Sequence, residues 1–253
     1  MKIIHLSDLH FGTEIKHSVP LLIHAIEELQ ADLVIVSGDL TQRAKTHQFI
    51  AANQFLRAIN TPVLCVPGNH DIALYRIIER LFYPFTKYQK WINSSLCAQY
   101  TNDLVAILGI NSVTPYKPMG GYVTEAQLAL IKDFFQAQPD NKIKIIVMHH
   151  NLVRAERHKN INDAEKLIKF FAACKVSLVL SGHIHLAHIE KLRQNYLQHP
   201  MYVVTAGTAI STRTIQPNSF NVIELEAQQF KLIVRVLEND KYVVAAENIF
   251  PLL

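Results

Sequence analysis

Three observations predict an α/β fold in which helices cover sheet strands. Short apolar runs alternate with amphipathic stretches through the first two thirds of the 253 residues. Apolar residues make up 49% of the chain and charged residues 18%, enough material for a sizeable core and against disorder. Five of the apolar runs end on carboxylate, imidazole or amide groups, and the carboxyl ends of strands are where helix-covered sheets build sites.

The elements follow in order. Lys2 to Leu6 is a strand, and Leu21 to Leu29 a helix with Leu22, Ile26 and Leu29 at helical spacing. Leu33 to Ser37 is a strand and Thr46 to Ile59 a helix. Val63 to Val66 reads as a buried strand, stopped by Pro67-Gly68. Ala73 to Trp91 is helical or loop-like, aromatic, and basic, with Arg76, Arg80, Lys87 and Lys90 against Glu79. Val105 to Ile110 is a strand; Thr124 to Phe135 is a helix whose Thr124 and Gln127 form a capping box. Strand Ile143 to Met148, helix Asp163 to Ala173 and strand Ser177 to Ser181 complete the alternating part. Tyr202 to Ala206, Phe220 to Leu225, Phe230 to Leu237 and Tyr242 to Ala246 then read as an antiparallel tail with short connections. No Pro/Gly/Ser linker or internal repeat divides the chain, so residues 1–253 are expected to form a single domain.

Composition narrows the function classes. The formal charge of +4 comes from 25 basic and 21 acidic residues without a long basic run, so neither nucleic acid nor an acidic membrane surface is indicated as a partner by charge. Cys65, Cys97 and Cys174 lie far apart and form no C-x-x-C pair, which suits a reducing compartment. The opening MKIIHLSDLH has no leader-type apolar core, and no apolar stretch reaches the roughly 20 residues a bilayer span needs. The expected location is the cytoplasm. Without G-x-G-x-x-G or G-x-x-x-x-G-K, dehydrogenase and kinase readings lack a phosphate-binding loop.

The strand ends carry the chemistry. They deliver Asp8 and His10; Gly38-Asp39; Gly68-Asn69-His70-Asp71; His149-His150; and Gly182-His183-Ile184-His185. Glycine precedes three of these groups, allowing a sharp turn and close approach to an ion. Asp8 and His10, like His183 and His185, are two apart, and on an extended segment such pairs point the same way. Nitrogen and oxygen donors without thiolates suit Mn, Fe, Zn or Co, and there are more of them than one tetrahedral ion needs. Each piece alone is ordinary turn chemistry; together and in order they describe a metal site.

D-x-H, G-D, G-N-H-D, H and G-H-x-H, running from Asp8 to His185, resemble the calcineurin-like metallophosphoesterase superfamily. The resemblance implies a four-layer αββα sandwich with two metal ions at the strand ends. It implies Asp8, His10, Asp39 and His185 as ligands of the first ion and Asp39, Asn69, His149 and His183 as ligands of the second, with Asp39 bridging. His150 is the alternative to His149. The short spacings and the GDLTQRA stretch are most similar to class III cyclic-nucleotide phosphodiesterases and their bacterial relatives. Thr41-Gln42-Arg43 stands where the Ser/Thr phosphatase branch has its further Asp and Arg. The resemblance thus implies a phosphoric diester hydrolase acting on small phosphodiesters, 3′,5′-cyclic nucleotides first, by in-line attack of a metal-bridging hydroxide. A lipid or nucleotide-sugar pyrophosphatase of the UDP-diacylglucosamine type, and a nuclease, are the alternatives.

The remaining residues take expected roles. Asn69 would complete a coordination sphere without adding charge. His70 would give the leaving group a proton, and Asp71 would orient His70 or cap a helix beginning near Ile72. Arg43, Asn111 and Arg213, with Ser211 and Thr212, are candidate substrate contacts, against an ordinary loop role for each. Tyr75 to Trp91 reads as a lid, as a peripheral membrane contact, or as an amphipathic helix packed on the core with its charges solvated.

Overall fold

A computed structural model describes residues 1–153, 161–192, 200–214 and 216–252. Among these, strands β1 (Lys2–Leu6), β2 (Leu33–Val36) and β3 (Val63–Cys65) run parallel and side by side. Three antiparallel strands, β12 (Ser219–Leu225), β13 (Gln229–Glu238) and β14 (Lys241–Pro251), extend them into one sheet of order β14-β13-β12-β1-β2-β3. The second sheet holds β4 (Gln99–Thr101), β5 (Val105–Gly109), β8 (Ile143–Val147), β9 (Val176–Ser181), β10 (His188–Leu192) and β11 (Met201–Thr205), in the order β10-β11-β9-β8-β5-β4. A hairpin of β6 (Val113–Thr114) and β7 (Lys117–Gly121) stands apart from both.

Strand alternation explains why two sheets and four layers form. A strand apolar on both faces must be covered twice. Ile3, Leu33 and Ile35 turn one way and meet Ile107, Ile145, Val147, Leu178 and Leu180 of the opposite sheet. Ile4, Leu6, Val34 and Val36 turn the other way, onto Leu22 and Ile26 of α1 (Ser18–Leu29) and Phe49 and Phe55 of α2 (Thr46–Arg57). Leu108, Ile146 and Val179 face α5 (Glu125–Gln136) and α6 (Ala164–Ala173), packing on Ile131, Phe135, Leu167 and Phe171. The expected helix–sheet–sheet–helix sandwich is therefore present. The Thr124 capping box is also formed: Gln127 N–H donates to Thr124 Oγ1 at 3.2 Å and Thr124 N–H to Gln127 Oε1 at 2.9 Å.

Two expectations change. The strand at Tyr202 does not belong to the antiparallel tail; β11 runs parallel to β9 and antiparallel to β10, a short strand that periodicity did not resolve. The stretch from Tyr75 to Trp91 forms two short helices, α3 (Ile77–Phe82) and α4 (Thr86–Trp91). Tyr88 of α4 is fully buried, but Ile77, Ile78 and Phe82 of α3 face solvent, so α3 is not an amphipathic helix laid apolar side down on the core. No helix among the described residues is long and apolar enough to cross a membrane.

Candidate metal centre

The strands stop short where the site begins. Ser37, Val66, Ile110 and Met148, each expected to continue a strand, already lie in the loops beyond. Those loops bring together residues from both sheets at the strand carboxyl ends. Asp8, His10, Asp39, His183 and His185 all adopt left-handed backbone conformations, with φ between 48° and 73°. The D-x-H and H-x-H pairs therefore converge by local turns, not by the strand alternation the sequence suggested. Left-handed non-glycine residues are costly and gather where tertiary structure holds a site together.

The first cluster is Asp8, His10, Asp39 and His185, whose donor atoms all lie within 4.8 Å of one another. His185 Nε2 is 3.2 Å from Asp8 Oδ1 and 3.2 Å from His10 Nε2. His10 Nε2 is 3.7 Å from Asp39 Oδ2. The other oxygen of Asp39 faces a second group: His149 Nε2 is 3.4 Å from Asp39 Oδ1, 3.1 Å from Asn69 Oδ1 and 3.3 Å from His183 Nδ1. All seven residues expected as ligands are thus in two adjoining groups that meet at Asp39.

Backbone carbonyls aim the imidazoles. His149 Nδ1 donates to Ser37 O at 2.9 Å, His185 Nδ1 to Arg213 O at 2.8 Å and His70 Nδ1 to Gln42 O at 2.9 Å. A proton held on Nδ1 leaves the Nε2 lone pair free, the arrangement that supports metal-binding histidines. Carbonyl groups have no residue signature, so none of these three partners was visible in the sequence. His150 Nδ1 shares a 2.9 Å hydrogen bond with Ser112 Oγ, whereas His149 presents its Nε2 to Asp39.

Two glycines are required by this packing. A Cβ on Gly68 would stand 2.1 Å from both the backbone N and Oδ1 of Asp39. On Gly182 it would stand 1.8 Å from Ser7 Oγ and 2.6 Å from Asp8 Oδ2. Each lets one loop of the site close against a carboxylate from another.

The electrostatics fit a divalent cation. Asp8 and Asp39 are completely buried carboxylates, and Asp8 Oδ1 accepts no hydrogen bond. Burial pushes both pKa values up, yet the surrounding imidazoles outweigh it: His185 and His10 hold Asp8 well below the usual range, and His149, His70 and His10 lower Asp39. In turn, burial lowers His149, but the Asp39 carboxylate beside it pushes it up to about 9, and Asp8 likewise raises His185. Bound cations would take the place of those imidazole protons as counter-charge to the two buried carboxylates. Metal–ligand bonds of about 2.1 Å set neighbouring donors roughly 3.0–3.4 Å apart, the range of the closest pairs here. Oxygen and imidazole donors suit Mn, Fe, Zn or Co.

The other predicted residues divide. His70 packs edge-on against His10, ring centroids 4.9 Å apart, and Arg213 Nη1 lies 3.1 Å from its Nε2. Arg213 also donates to Gln42 Oε1 at 3.1 Å, giving Gln42 a place in the site that the sequence did not flag. Asp71 departs from expectation. Its carboxylate accepts from Thr41 N at 2.8 Å, Thr41 Oγ1 at 3.0 Å, Gly68 N at 2.9 Å and Leu40 N at 3.2 Å. It ends a 3-10 turn, Asn69–Asp71, followed by extended backbone at Ile72, so it neither orients the His70 ring nor caps a helix; it staples the Asp39 loop to the Asn69 loop. Arg43 sits over the Tyr75 ring at 5.6 Å, and Asn111 Oδ1 accepts from Val113 N–H within its own turn. Ser211 and Thr212 tie their loop to Thr13.

A sequence model of the calcineurin-like phosphoesterase family matches residues 1–187. A probable cyclic nucleotide phosphodiesterase of Vesicomyosocius okutanii is 26% identical over 197 residues, covering 73% of this chain and 78% of that protein. The 3′,5′-cyclic adenosine monophosphate phosphodiesterase CpdA of Haemophilus influenzae is 26% identical over 165 residues, 63% of this chain and 56% of its own length. The fold is similar to that of purple acid phosphatase PPD1 from yellow lupin, with a TM-score of 0.72 at 12% identity over 99% of this chain and 53% of that one.

Proposed function

This chain belongs to the calcineurin-like phosphoesterase family, and from that premise we propose that it is a dinuclear metal-dependent hydrolase of small phosphodiesters, with 3′,5′-cyclic nucleotides as the leading substrate class. The observation that carries the dinuclear reading is the split of Asp39: Oδ2 faces His10 and Oδ1 faces His149. Asp8, His10, Asp39 and His185 would hold one ion, and Asp39, Asn69, His149 and His183 the other. Bound divalent ions would polarise phosphate oxygens and acidify water near neutral pH. Two buried carboxylates against two divalent ions leave a net positive site, and Asn69 in place of a carboxylate preserves that excess for an anionic substrate.

The chain's own groups do the rest. Arg213 brings a permanent cation next to His70, at the edge of the first cluster, where a phosphodiester or its departing oxygen can be met. The Nδ1 proton of His70 is fixed on Gln42 O, so its Nε2 faces Arg213 and the substrate side. The substrate preference draws support from the cyclic nucleotide phosphodiesterases among the relatives. We read residues 1–253 as one domain, because β12 to β14, beyond the matched region, complete the same sheet as β1.

The test is hydrolysis of bis-p-nitrophenyl phosphate and cyclic AMP by manganese-loaded protein, with metal content measured alongside. Turnover of both, lost with chelator, and two ions per chain falling in Asp39→Asn are expected. A single ion per chain unaffected by that substitution refutes the dinuclear reading; no turnover of any small diester refutes the activity.

A further inference from the structure

Helix α3 is packed inside out. Tyr75, Ile77, Ile78, Phe82 and Tyr83 are each 64–76% exposed, whereas Arg80 on the same helix is 7% exposed. Its polar side chains do the docking. Arg80 Nε donates to Pro115 O at 2.5 Å, Arg76 Nη2 to Ala44 O at 2.9 Å, and Glu79 pairs with Arg76 at 3.1 Å and Lys87 at 2.8 Å. Water-driven folding buries isoleucine and phenylalanine and leaves arginine outside. A face built the opposite way has a non-aqueous neighbour when it works.

The Arg80–Pro115 contact brings the β6–β7 turn alongside, and its Tyr116, 77% exposed, joins the patch. Beside the patch stand Arg76 and Lys87, both paired with the acid Glu79, with Lys45 next to the Ala44 carbonyl they share, Arg43 on the Tyr75 ring and Lys117 next to Tyr116 in the chain; Arg80 is buried beneath it. A second copy meeting this face would set like charges against each other. An anionic surface with an apolar interior complements both features. Isoleucine and phenylalanine suit the acyl boundary, and tyrosine with arginine or lysine suits the headgroup level.

We infer that α3 and the 115–117 turn form a docking face for anionic lipid bilayers, with Ile77, Ile78 and Phe82 inserting and the cations resting on the headgroups. The face adjoins the candidate metal centre: Tyr75 follows His70 by five residues and carries Arg43 on its ring. Docking would orient the catalytic edge toward the bilayer. It stands independently of the reaction proposed above.

Flotation of the purified chain with phosphatidylcholine vesicles containing phosphatidylglycerol, against phosphatidylcholine alone, tests this. Binding to the anionic vesicles is expected, weakened several-fold between about 0.1 M and 0.5 M salt because exposed charges are screened. Ile77→Ser with Ile78→Ser and Phe82→Ser should lower partition by ~10-fold or more, while far-UV circular dichroism and hydrolysis of soluble bis-p-nitrophenyl phosphate stay at wild-type level. A tryptophan at the insertion point, Ile78→Trp, should shift its emission to the blue on anionic vesicles and not on neutral ones. Absence of flotation together with absence of that shift overturns the inference. So does vesicle binding equal in the folded triple variant. Concentration-dependent dimerisation lost in the triple variant, without vesicle binding, overturns it in favour of a second copy.

Discussion

Arg213 Nη1 lies 3.1 Å from His70 Nε2, although the two residues are 143 positions apart in the chain. Burial lowers the His70 pKa, and Arg213 adds to this, while Asp39 opposes it. The site therefore sets a permanent cation beside the imidazole. Replacing His70 with Ala should leave metal content unchanged and lower kcat by ~10²-fold or more, the lower end of what a positioned imidazole contributes. The loss should be greater on diesters with poor leaving groups than on p-nitrophenyl esters. Equal losses on both classes would exclude a leaving-group role, and Arg213→Met then decides whether the cation is the working partner.

Asn69 Oδ1, 3.1 Å from His149 Nε2, offers an uncharged donor. Asn69→Asp should bind metal more tightly than Asn69→Ala yet turn over more slowly than wild type, because an added negative charge offsets the excess that attracts phosphate. Titration of metal into chelator-treated protein, followed by single-substrate kinetics, separates the two effects. Unchanged hydrolysis in both variants would remove Asn69 from the ligand set.

Asp71 should behave as a positioning residue. Asp71→Ala leaves the buried N–H groups of Leu40, Thr41 and Gly68 without their acceptor, at about 1–3 kcal/mol each, so a loss of roughly 3 kcal/mol or more is expected in urea unfolding. Metal affinity should fall with it, since the two stapled loops carry Asp39 and Asn69. Wild-type stability with a purely kinetic defect would restore Asp71 to a direct role.

Metal uptake should release protons. The metal-free protein holds a proton on His149, raised to about 9, and the Asp8 carboxylate raises His185 in the same direction, so a cation must displace bound protons. Apparent affinity for manganese should therefore rise from pH 6 toward pH 9, with proton release measurable by calorimetry in buffers of different ionisation enthalpy. Identical heats in all buffers would contradict the protonated metal-free state.

His5 lies fully buried on β1, with its Nε2 2.9 Å from Ser37 Oγ. Burial pushes its pKa down to about 3, only partly opposed by Asp8. Its folded pKa lies below the unfolded value near 6.5, so its contribution is complete above pH 6.5 and is lost as pH falls toward about 3. The loss is roughly 1.4 kcal/mol per pH unit within that window. Chelator-treated wild type should lose Tm on acidification from pH 6.5 to 4 more steeply than chelator-treated His5→Asn. Parallel curves would show that His5 titrates normally.

The sequence by itself determined the layers and the chemistry. Strands such as Leu33–Val36 are apolar on both faces and need two coverings, and the order of Asp8, His10, Asp39, Asn69, His149, His183 and His185 at strand ends carries the family resemblance that implies the donor set. Both are local: side-chain type, alternation and glycine placement are written residue by residue. What tertiary structure alone decided depends on distant backbone meeting. Only the fold shows Ser37, Gln42 and Arg213 carbonyls aiming three imidazoles, because every residue has a carbonyl and none advertises its partner. Only the fold turns His150 to Ser112 and spends Asp71 on the Leu40–Thr41 backbone. The inverted face of α3 was equally hidden: periodicity tells which residues share a face, but whether that face meets core or solvent depends on what the remainder of the chain packs against it.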